Sequence, residues 1–208
     1  MTEGKSVPGP TRTAADWEAR YKDADPSEMP WFHPDLDADL VAALDRWGPA
    51  EGPALDQGTG PGTQAVELAR RGYHVTATDV SPTAIEKAKA RAAAAGVEVD
   101  FRVDDVLESA LTTQFDLVFD RGCFHVFTPD RRPAYLQTMA RLVRSGGFLF
   151  LKTFSHLQPG DFGPHRVHPD EIRALFAEAF EIESIEHTVF EGNNDPLPKA
   201  IFSVLRRR

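Results

Sequence analysis

Hydrophobic residues follow two different periods along this chain, and the two periods alternate from residue 54 onward. Short apolar stretches rich in Val, Ile and Phe are typical of strands, whereas apolar residues three or four positions apart are typical of helices. The pattern predicts strands at 54–56, 74–79, 97–103, 115–120, 148–154, 182–189 and 200–205. Because helical segments separate these strands, we expect an α/β fold with a largely parallel sheet.

The helices between the strands carry start and stop signals. One of them has Ser81 at the N-cap, Pro82 at the first helical position and Gly96 at its end. Another opens at Pro169, which is followed by two acidic residues. The pattern predicts helices at 63–71, 82–95 and 130–143 and a further helix that begins at 169.

An extension precedes the first strand. Residues 1–13 are polar and predicted to be a disordered tail, and residues 14–208 are predicted to form one domain, with a helical cover at 14–48 and a core at 54–208. Aromatic residues between two short predicted helices of the cover favour either a lid over a site or a simple cap on the core. Four aspartates around the second helix are expected to form a solvated face: Asp35, Asp37, Asp39 and Asp45.

Composition narrows the range of partners. Acidic residues outnumber basic ones, 32 to 23, and the net charge is −9, which disfavours a nucleic-acid partner. No run of 18 apolar residues occurs, so we expect no membrane partner. The single cysteine, Cys123, excludes an intramolecular disulfide and fits a reducing cytoplasm. A small molecule is therefore the expected partner of a monomer or homodimer.

A glycine-rich loop follows the first predicted strand. Gly58, Gly60 and Gly62 let the backbone turn sharply and approach a ligand closely at the edge where open α/β sheets bind ligands. A dinucleotide fingerprint would require Gly or Ala at position 63, which is Thr63 here. Pyrophosphate binding is therefore disfavoured, and with it a nicotinamide-dependent oxidoreductase.

Carboxylates stand at the ends of three predicted strands. Asp56 precedes the glycines, where it would repel a diphosphate but suit an ammonium group. Asp79 is placed to accept both hydroxyls of a ribose. Asp105, with Asp104 as its rival, is placed to accept from an adenine amino group. This set favours S-adenosylmethionine over a phosphorylated nucleoside, and the alternative is three unrelated surface acids beside a tight turn.

The residues also resemble a known family. The segment 55–152 resembles the class I S-adenosylmethionine-dependent methyltransferases, and more narrowly the thiopurine methyltransferase-like group with its thiol, halide and tellurite-resistance relatives. Four stretches carry the resemblance: Trp17 and Tyr21 with Phe32 and His33; residues 115–121 with Gly122, which end in Asp-Arg-Gly; residues 129–139; and Gly163 and Pro164 with residues 171–176. The resemblance implies a Rossmann-like, seven-stranded, mostly parallel sheet with helices on both faces, an antiparallel last strand and an N-terminal helical cover.

The resemblance and the positions of individual residues together imply two sets of contacts, with a plain surface arginine as the alternative interpretation of Arg166. Contacts with S-adenosylmethionine, or its product S-adenosylhomocysteine, are expected from Trp17, Tyr21, Phe32, Asp56, Gly58, Gly60, Gly62, Asp79, Val80, Asp105, Val106 and Arg121. Contacts with the methyl acceptor are expected from Trp31, His33, Arg121, His125 and Arg166. The sequence departs from the group after residue 180, where we assign no arginine to the substrate-binding position of the group.

Catalytic candidates are few. His125 follows the fourth predicted strand and is the candidate general base, with a structural histidine as the alternative interpretation. His156, His165 and His168 share a loop without a tight ligand motif, so no metal site is predicted.

We therefore expect methyl transfer to a thiol, a halide or another soft nucleophile, which needs little help from a base. Two alternatives stay open at this point: an O- or N-methyltransferase of a secondary metabolite, and a non-catalytic S-adenosylmethionine-binding module.

Overall fold

A seven-stranded sheet organises the computed structural model, which describes residues 12–160 and 163–208. The strands are β1 (Gly52–Gln57), β2 (Tyr73–Asp79), β3 (Asp100–Val103), β4 (Phe115–Arg121), β5 (Val143–Phe154), β6 (Phe180–Val189) and β7 (Lys199–Arg207). Their order in the sheet is β3-β2-β1-β4-β5-β7-β6. Strands β1 to β5 pair in parallel, and β7 is antiparallel to both β5 and β6, so the predicted sheet is confirmed.

Six helices among the described residues flank the sheet. They are α1 (Ala14–Asp23), α2 (Ala38–Trp47), α3 (Thr63–Arg70), α4 (Pro82–Ala95), α5 (Arg132–Leu142) and α6 (Pro169–Phe176). The predicted caps of α4 are present, since the Ser81 hydroxyl accepts the Ala84 N–H at 3.0 Å and Gly96 takes a φ of +68°. None of these helices has the length and apolar character of a membrane span. Residues 1–11, which make up most of the predicted tail, lie outside the described residues.

Two predicted strand boundaries were wrong. β3 begins at Asp100 rather than 97, because the Val97 N–H bonds to the carbonyl of Ala92 and completes the end of α4. β5 begins at Val143 rather than 148, because Val143 already pairs with Phe115 across a shift in register. Residues 144–147 lie within this shift in register, and Gly146, with a φ of +79°, turns the chain within the irregularity, so the expected turn lies inside β5.

Successive strand residues point to opposite faces of the sheet and pack into two hydrophobic cores, one on each face. On one face, Leu55, Val118 and Leu149 pack with residues of α5 and α6. On the other face, buried strand residues pack with α2 and α3, and Leu40 of α2 is fully buried there. Helix α2 is therefore a packed layer of the fold, whereas α1 lies further out, against α4.

A buried ion cluster fastens α2 to the sheet. Asp37, the N-cap of α2, is fully buried, and its carboxylate accepts from Arg121 Nε at 2.7 Å and from Lys152 Nζ at 2.7 and 2.8 Å. Lys152, itself 1% exposed, also lies 2.6 Å from Asp39. Burial raises the pKa of Asp37, but the charges of Lys152 and Arg121 outweigh it, so that the pKa falls below its ordinary value.

The expected solvated face therefore exists only in part. Asp35 and Asp45 are exposed as predicted. The expectation was wrong for Asp37, because the start of α2 lies directly over the two cations at the ends of β4 and β5.

We predict that Asp37→Ala lowers the free energy of unfolding by roughly 3–5 kcal/mol, because it leaves buried cations without their shared anion. Asp35→Ala is the matched control, since Asp35 is an exposed aspartate two positions away, and we expect a change within about 0.5 kcal/mol. Chemical denaturation of both variants measures the difference. Equal losses in the two variants would contradict a stabilising role for the cluster.

Candidate active site

The strand order places a cavity at one edge of the sheet. β1 lies between β2 and β4, so the order of strands reverses there, and ligands of open α/β sheets bind at such a point. A cavity of about 550 Å³ opens beyond the carboxyl ends of β1, β2 and β4. This volume lies within the range of sites that enclose a drug-sized ligand.

The glycine loop forms the floor of the cavity, and all three glycines have positive φ. A side chain on Gly58 would meet Cys123 at 2.8 Å, and one on Gly60 would meet the Tyr21 hydroxyl at 2.7 Å. Gly62 has a different role. A Cβ on Gly62 would lie 2.7 Å from the Cβ of Ala88, so only glycine lets α4 pack this closely. Two of the predicted glycines thus line the cavity, and the third allows two helices to pack.

Asp79 ties this loop to the second strand. One of its carboxylate oxygens accepts the Gly60 N–H and the other accepts the Ser81 N–H, both at 2.9 Å. Burial raises the pKa of Asp79 to about 6, although these N–H groups act in the opposite direction. Each oxygen keeps a further lone pair, and the residue lines the cavity where hydroxyl groups of a ligand can reach it.

Asp56 lies deeper, with 2% of its surface exposed. The Thr59 hydroxyl donates to it at 2.5 Å. Burial raises the pKa of Asp56 to about 7, and the charges of Asp120 and Asp79 act in the same direction. A buried carboxylate with this environment favours a cationic ligand, because a cation nearby would stabilise its charged form.

The end of β3 presents two candidate acceptors. Asp105 is exposed and accepts the Leu107 N–H at 3.0 Å, which caps a short turn that begins at Val106. Asp104 accepts the Ala110 N–H with one oxygen, while its second oxygen is buried and has no partner among the described residues. Both aspartates line the cavity, and the unpartnered oxygen of Asp104 makes it an equal candidate for an amino group.

The aromatic residues before α2 cover the cavity and form part of its lining. The ring of Trp17 stacks on Tyr21 at 6.4 Å and meets Trp31 edge-on at 6.0 Å. Glu18 anchors α1, because its carboxylate accepts from the Ser81 hydroxyl at 2.6 Å and from the Thr83 N–H and hydroxyl. These hydrogen bonds, with Ser81 first, lower the pKa of Glu18 to about 2. The cover is thus held on the site by specific contacts.

Arg121 links three parts of the cavity wall. Its guanidinium donates to Asp37, to the carbonyl oxygen of Trp31 at 3.1 Å and to that of Glu191 at 2.7 Å. It therefore joins the end of β4 to the cover and to the loop between β6 and β7. The residue lines the cavity, and its direct contact with cofactor or acceptor stays a prediction.

The far side of the cavity is built on Asp120 at the end of β4. This carboxylate accepts the Cys123 and Phe124 N–H groups and the Tyr135 hydroxyl, the last at 2.7 Å. These bonds hold the single turn that carries His125. His125 is 5% exposed, and its Nδ1 accepts the Phe154 N–H at 3.0 Å.

The structure brings most of the predicted site residues to one cavity. Its lining includes Trp17, Trp31, Phe32, Asp56, Gly58, Gly60, Asp79, Val80, Asp105, Val106, Arg121 and His125. Four predicted residues are not among the lining residues of the described chain. Tyr21 and Gly62 lie behind the lining, His33 lies 3.3 Å from Glu191, and Arg166 donates to carbonyl oxygens within its own loop.

Sequence reasoning missed three aromatic residues of this site, Phe127, Phe154 and Phe190. Phe154 at the end of β5 and Phe190 after β6 line the cavity with their rings 5.2 Å apart. The position of Phe154 at a carboxyl end of a predicted strand was a usable signal. Phe190 carried no such signal, because a turn-rich segment follows it and only the β6–β7 pairing returns it to the site.

Comparison with known proteins agrees with this geometry. A family model described as a methyltransferase domain matches residues 54–147. The 2-heptyl-1-hydroxyquinolin-4(1H)-one methyltransferase of Mycobacteroides abscessus is 27% identical over 187 residues, which cover 86% of this chain and 82% of that protein. The thiopurine S-methyltransferase of Legionella pneumophila strain Paris is 27% identical over 173 residues, with coverage of 74% and 78%.

A solved structure extends the likeness over nearly the whole chain. It comes from work on the conversion of a disulfide bond into a thioacetal group during echinomycin biosynthesis, and it is 30% identical with a TM-score of 0.81. The alignment covers 94% of this chain and 93% of that one. The chain therefore belongs to the class I S-adenosylmethionine-dependent methyltransferases, enzymes that transfer a methyl group from S-adenosylmethionine, in this case to a small molecule.

Proposed function

We propose that the methyl acceptor is a flat aromatic small molecule and that the methyl group goes to a sulfur or oxygen atom attached to its ring. The observation that carries this proposal is the aromatic wall of Phe154 and Phe190, whose rings are inclined by 34°, with Trp31 also lining the cavity. Aromatic side chains of this kind favour stacked or edge-on contacts with another ring.

The acceptor types expected from the sequence differ in how well they can pack against Phe154 and Phe190. An aromatic thiol fits this wall, whereas a halide ion or a short aliphatic thiol has no surface to pack against these rings. Two relatives support an aromatic acceptor by their names, one a hydroxyquinolinone methyltransferase and the other a thiopurine S-methyltransferase. Because one name implies sulfur and the other implies a hydroxyl group, the proposal includes both atoms.

The division of work among the residues follows from their positions. When bound, S-adenosylmethionine supplies a methyl group on a sulfonium, which is already a good electrophile. Asp56 and Asp79 would hold the cofactor's charged and hydroxyl groups, and Phe154 and Phe190 would orient the acceptor. Such alignment of two reactants contributes up to about 7–11 kcal/mol in favourable cases.

An acceptor screen with purified protein tests the proposal. The probes are S-adenosylmethionine with an aromatic thiol, an aromatic hydroxyl compound, an aliphatic thiol and iodide, and product formation is followed by mass spectrometry. We expect kcat/KM to be highest for the aromatic acceptors. A higher kcat/KM for iodide or the aliphatic thiol would overturn the aromatic assignment.

We predict that Phe154→Leu raises KM for the aromatic acceptor about threefold to tenfold, because an aromatic contact beyond burial alone is lost. Phe148→Leu is the matched control: the same residue type on the same strand, stacked on Phe150 and away from the cavity lining. Steady-state kinetics gives KM, and calorimetric titration with S-adenosylhomocysteine checks that cofactor binding is kept. An equal rise of KM in both variants would contradict the acceptor role of Phe154.

We predict that S-adenosylhomocysteine binds more tightly as the pH rises from about 6 to about 8, by at most about tenfold per pH unit. The reason is that the Asp56 carboxyl, whose pKa is about 7 in the empty protein, must lose its proton to face the ligand's ammonium group. Calorimetry across this range measures the effect. Asp56→Asn should weaken binding at the upper end and flatten the dependence on pH.

For the stability of the protein without ligand, the same carboxyl group leads us to expect the opposite dependence on pH. Because the folded-state pKa of Asp56 lies above its ordinary value, the folded state holds this proton more tightly, and its stability falls as the pH rises through about 7. Asp56→Asn should therefore raise the melting temperature at about pH 8 while it weakens ligand binding. A variant that loses both stability and affinity would show that Asp56 is structural.

A further inference from the structure

The protonation of the His125 ring is fixed by the backbone. Its Nδ1 accepts the N–H of Phe154 at 3.0 Å, and a backbone N–H always carries its hydrogen. Nδ1 is therefore unprotonated. In a neutral imidazole the proton must then be on Nε2, which makes Nε2 a hydrogen-bond donor.

A second proton is strongly opposed. Burial lowers the pKa of His125 to about 3, and the charges of Arg132, Arg166 and His165 act in the same direction. These groups come from α5 and from the loop after β5, and the apolar rings of Phe154 and Phe190 pack against the His125 ring. A proton taken from a substrate would also have to go to Nδ1, which faces the Phe154 N–H.

The donor is aimed at the cavity. The ring lies edge-on between Phe154 at 5.0 Å and Phe190 at 5.6 Å, which fixes its orientation. Gly122 leaves room beside it, since a Cβ there would lie 3.3 Å from Nε2. His125 lines the cavity, and its Nε2 makes no hydrogen bond with any residue among 12–160 and 163–208. The residue is 5% exposed, and an N–H group that lines the cavity without a partner among the described residues can donate to a ligand that accepts from it.

We propose that His125 donates a hydrogen bond from Nε2 to the accepting atom, and that the enzyme methylates only thiols and hydroxyl compounds acidic enough to be anions near neutral pH. The inference rests on the proposed function, since the same aromatic walls that orient the acceptor also orient His125. It replaces the general base predicted from the sequence with a donor that recognises an anion.

The methyl-transfer step then balances without a proton acceptor in the protein. The acceptor gives its proton to solvent before it binds. A lone pair of the anion forms the new bond to the methyl carbon, while the bond from that carbon to the sulfonium sulfur breaks and leaves its electron pair on sulfur. Both products are neutral at the reacting atoms. Because the acceptor's charge disappears during the step, the hydrogen bond from His125 acts mainly on binding and orientation.

The first test uses the wild-type enzyme and a series of ring-substituted thiols and phenols of different acidity, with aliphatic thiols of matched acidity beside them. The dependence of kcat/KM on pH is measured for each acceptor with S-adenosylmethionine at saturation throughout, because the pKa of Asp56 is also about 7. We expect the midpoint of each profile to follow the acceptor's own ionisation. A midpoint that is the same for all acceptors would assign deprotonation to a group of the enzyme and overturn the inference.

The second test compares two substitutions. His125→Gln keeps an N–H donor near the position of Nε2 but cannot act as a base, whereas His125→Ala lacks the donor. We expect His125→Ala to raise KM about tenfold to a hundredfold, the range of a hydrogen bond to a charged group, and His125→Gln to recover at least about tenfold of that loss. Equal loss of kcat in both variants would instead support a base. Calorimetric titration with S-adenosylhomocysteine confirms that each variant is folded.

The two proposals fail in different ways. A preference of the wild-type enzyme for aliphatic thiols over aromatic acceptors would overturn the proposed function. In that case the pH profiles of the aliphatic series still decide whether the acceptor or the enzyme supplies the ionisation, and so whether His125 is a donor or a base.

Discussion

The site depends on one buried carboxylate, that of Asp37. Two cations removed from water would be very costly without an anion between them, and the start of α2 supplies that anion to Arg121 and Lys152. The consequence reaches beyond stability. Because Arg121 also donates to the carbonyls of Trp31 and Glu191, the ion cluster fixes the distance between the aromatic cover, the end of β4 and the loop that carries Phe190. The acceptor side of the cavity is thus held by charge pairing deep in the fold.

On the cofactor side of the cavity, buried carboxylates have raised pKa values, whereas the pKa of Asp37 is lowered. Asp56 and Asp79 are carboxylates without a cationic side chain as hydrogen-bond partner among the described residues, and burial raises the pKa of each. Ionising them in the empty protein costs stability, and a ligand that brings an ammonium group and hydroxyl donors offsets that cost. Asp56 and Asp79 combine a raised pKa with a place in the cavity lining, which makes them candidates for contact with a charged ligand, in contrast with Asp37, whose partners are part of the chain.

Local signals predicted most of the fold and about half of the site. Ser81, Pro82 and Gly96 set the bounds of α4, and the glycine loop with Asp56 and Asp79 pointed to the cofactor, because each of these features acts over a few residues. Asp37 could not be recognised in this way, since alternate aspartates before a helix look like a solvated face until the sheet brings Lys152 beneath them. The unexpected lysine in the apolar stretch 148–154 was the available clue, because a lysine in a buried strand requires an anion from elsewhere in the chain.

The two halves of the sheet differ in how far their site residues can be predicted from local sequence. The cofactor half is built from β1 to β3 and the turns that follow them, where short motifs suffice. The acceptor half draws on β4 to β7, the cover and long loops, so its chemistry is decided by contacts between distant segments. His125 illustrates the difference: its sequence position permits a base, but the N–H of Phe154, delivered by the neighbouring strand, fixes which nitrogen carries the proton. A single backbone group of β5 thereby determines whether this half of the site removes a proton or recognises an anion.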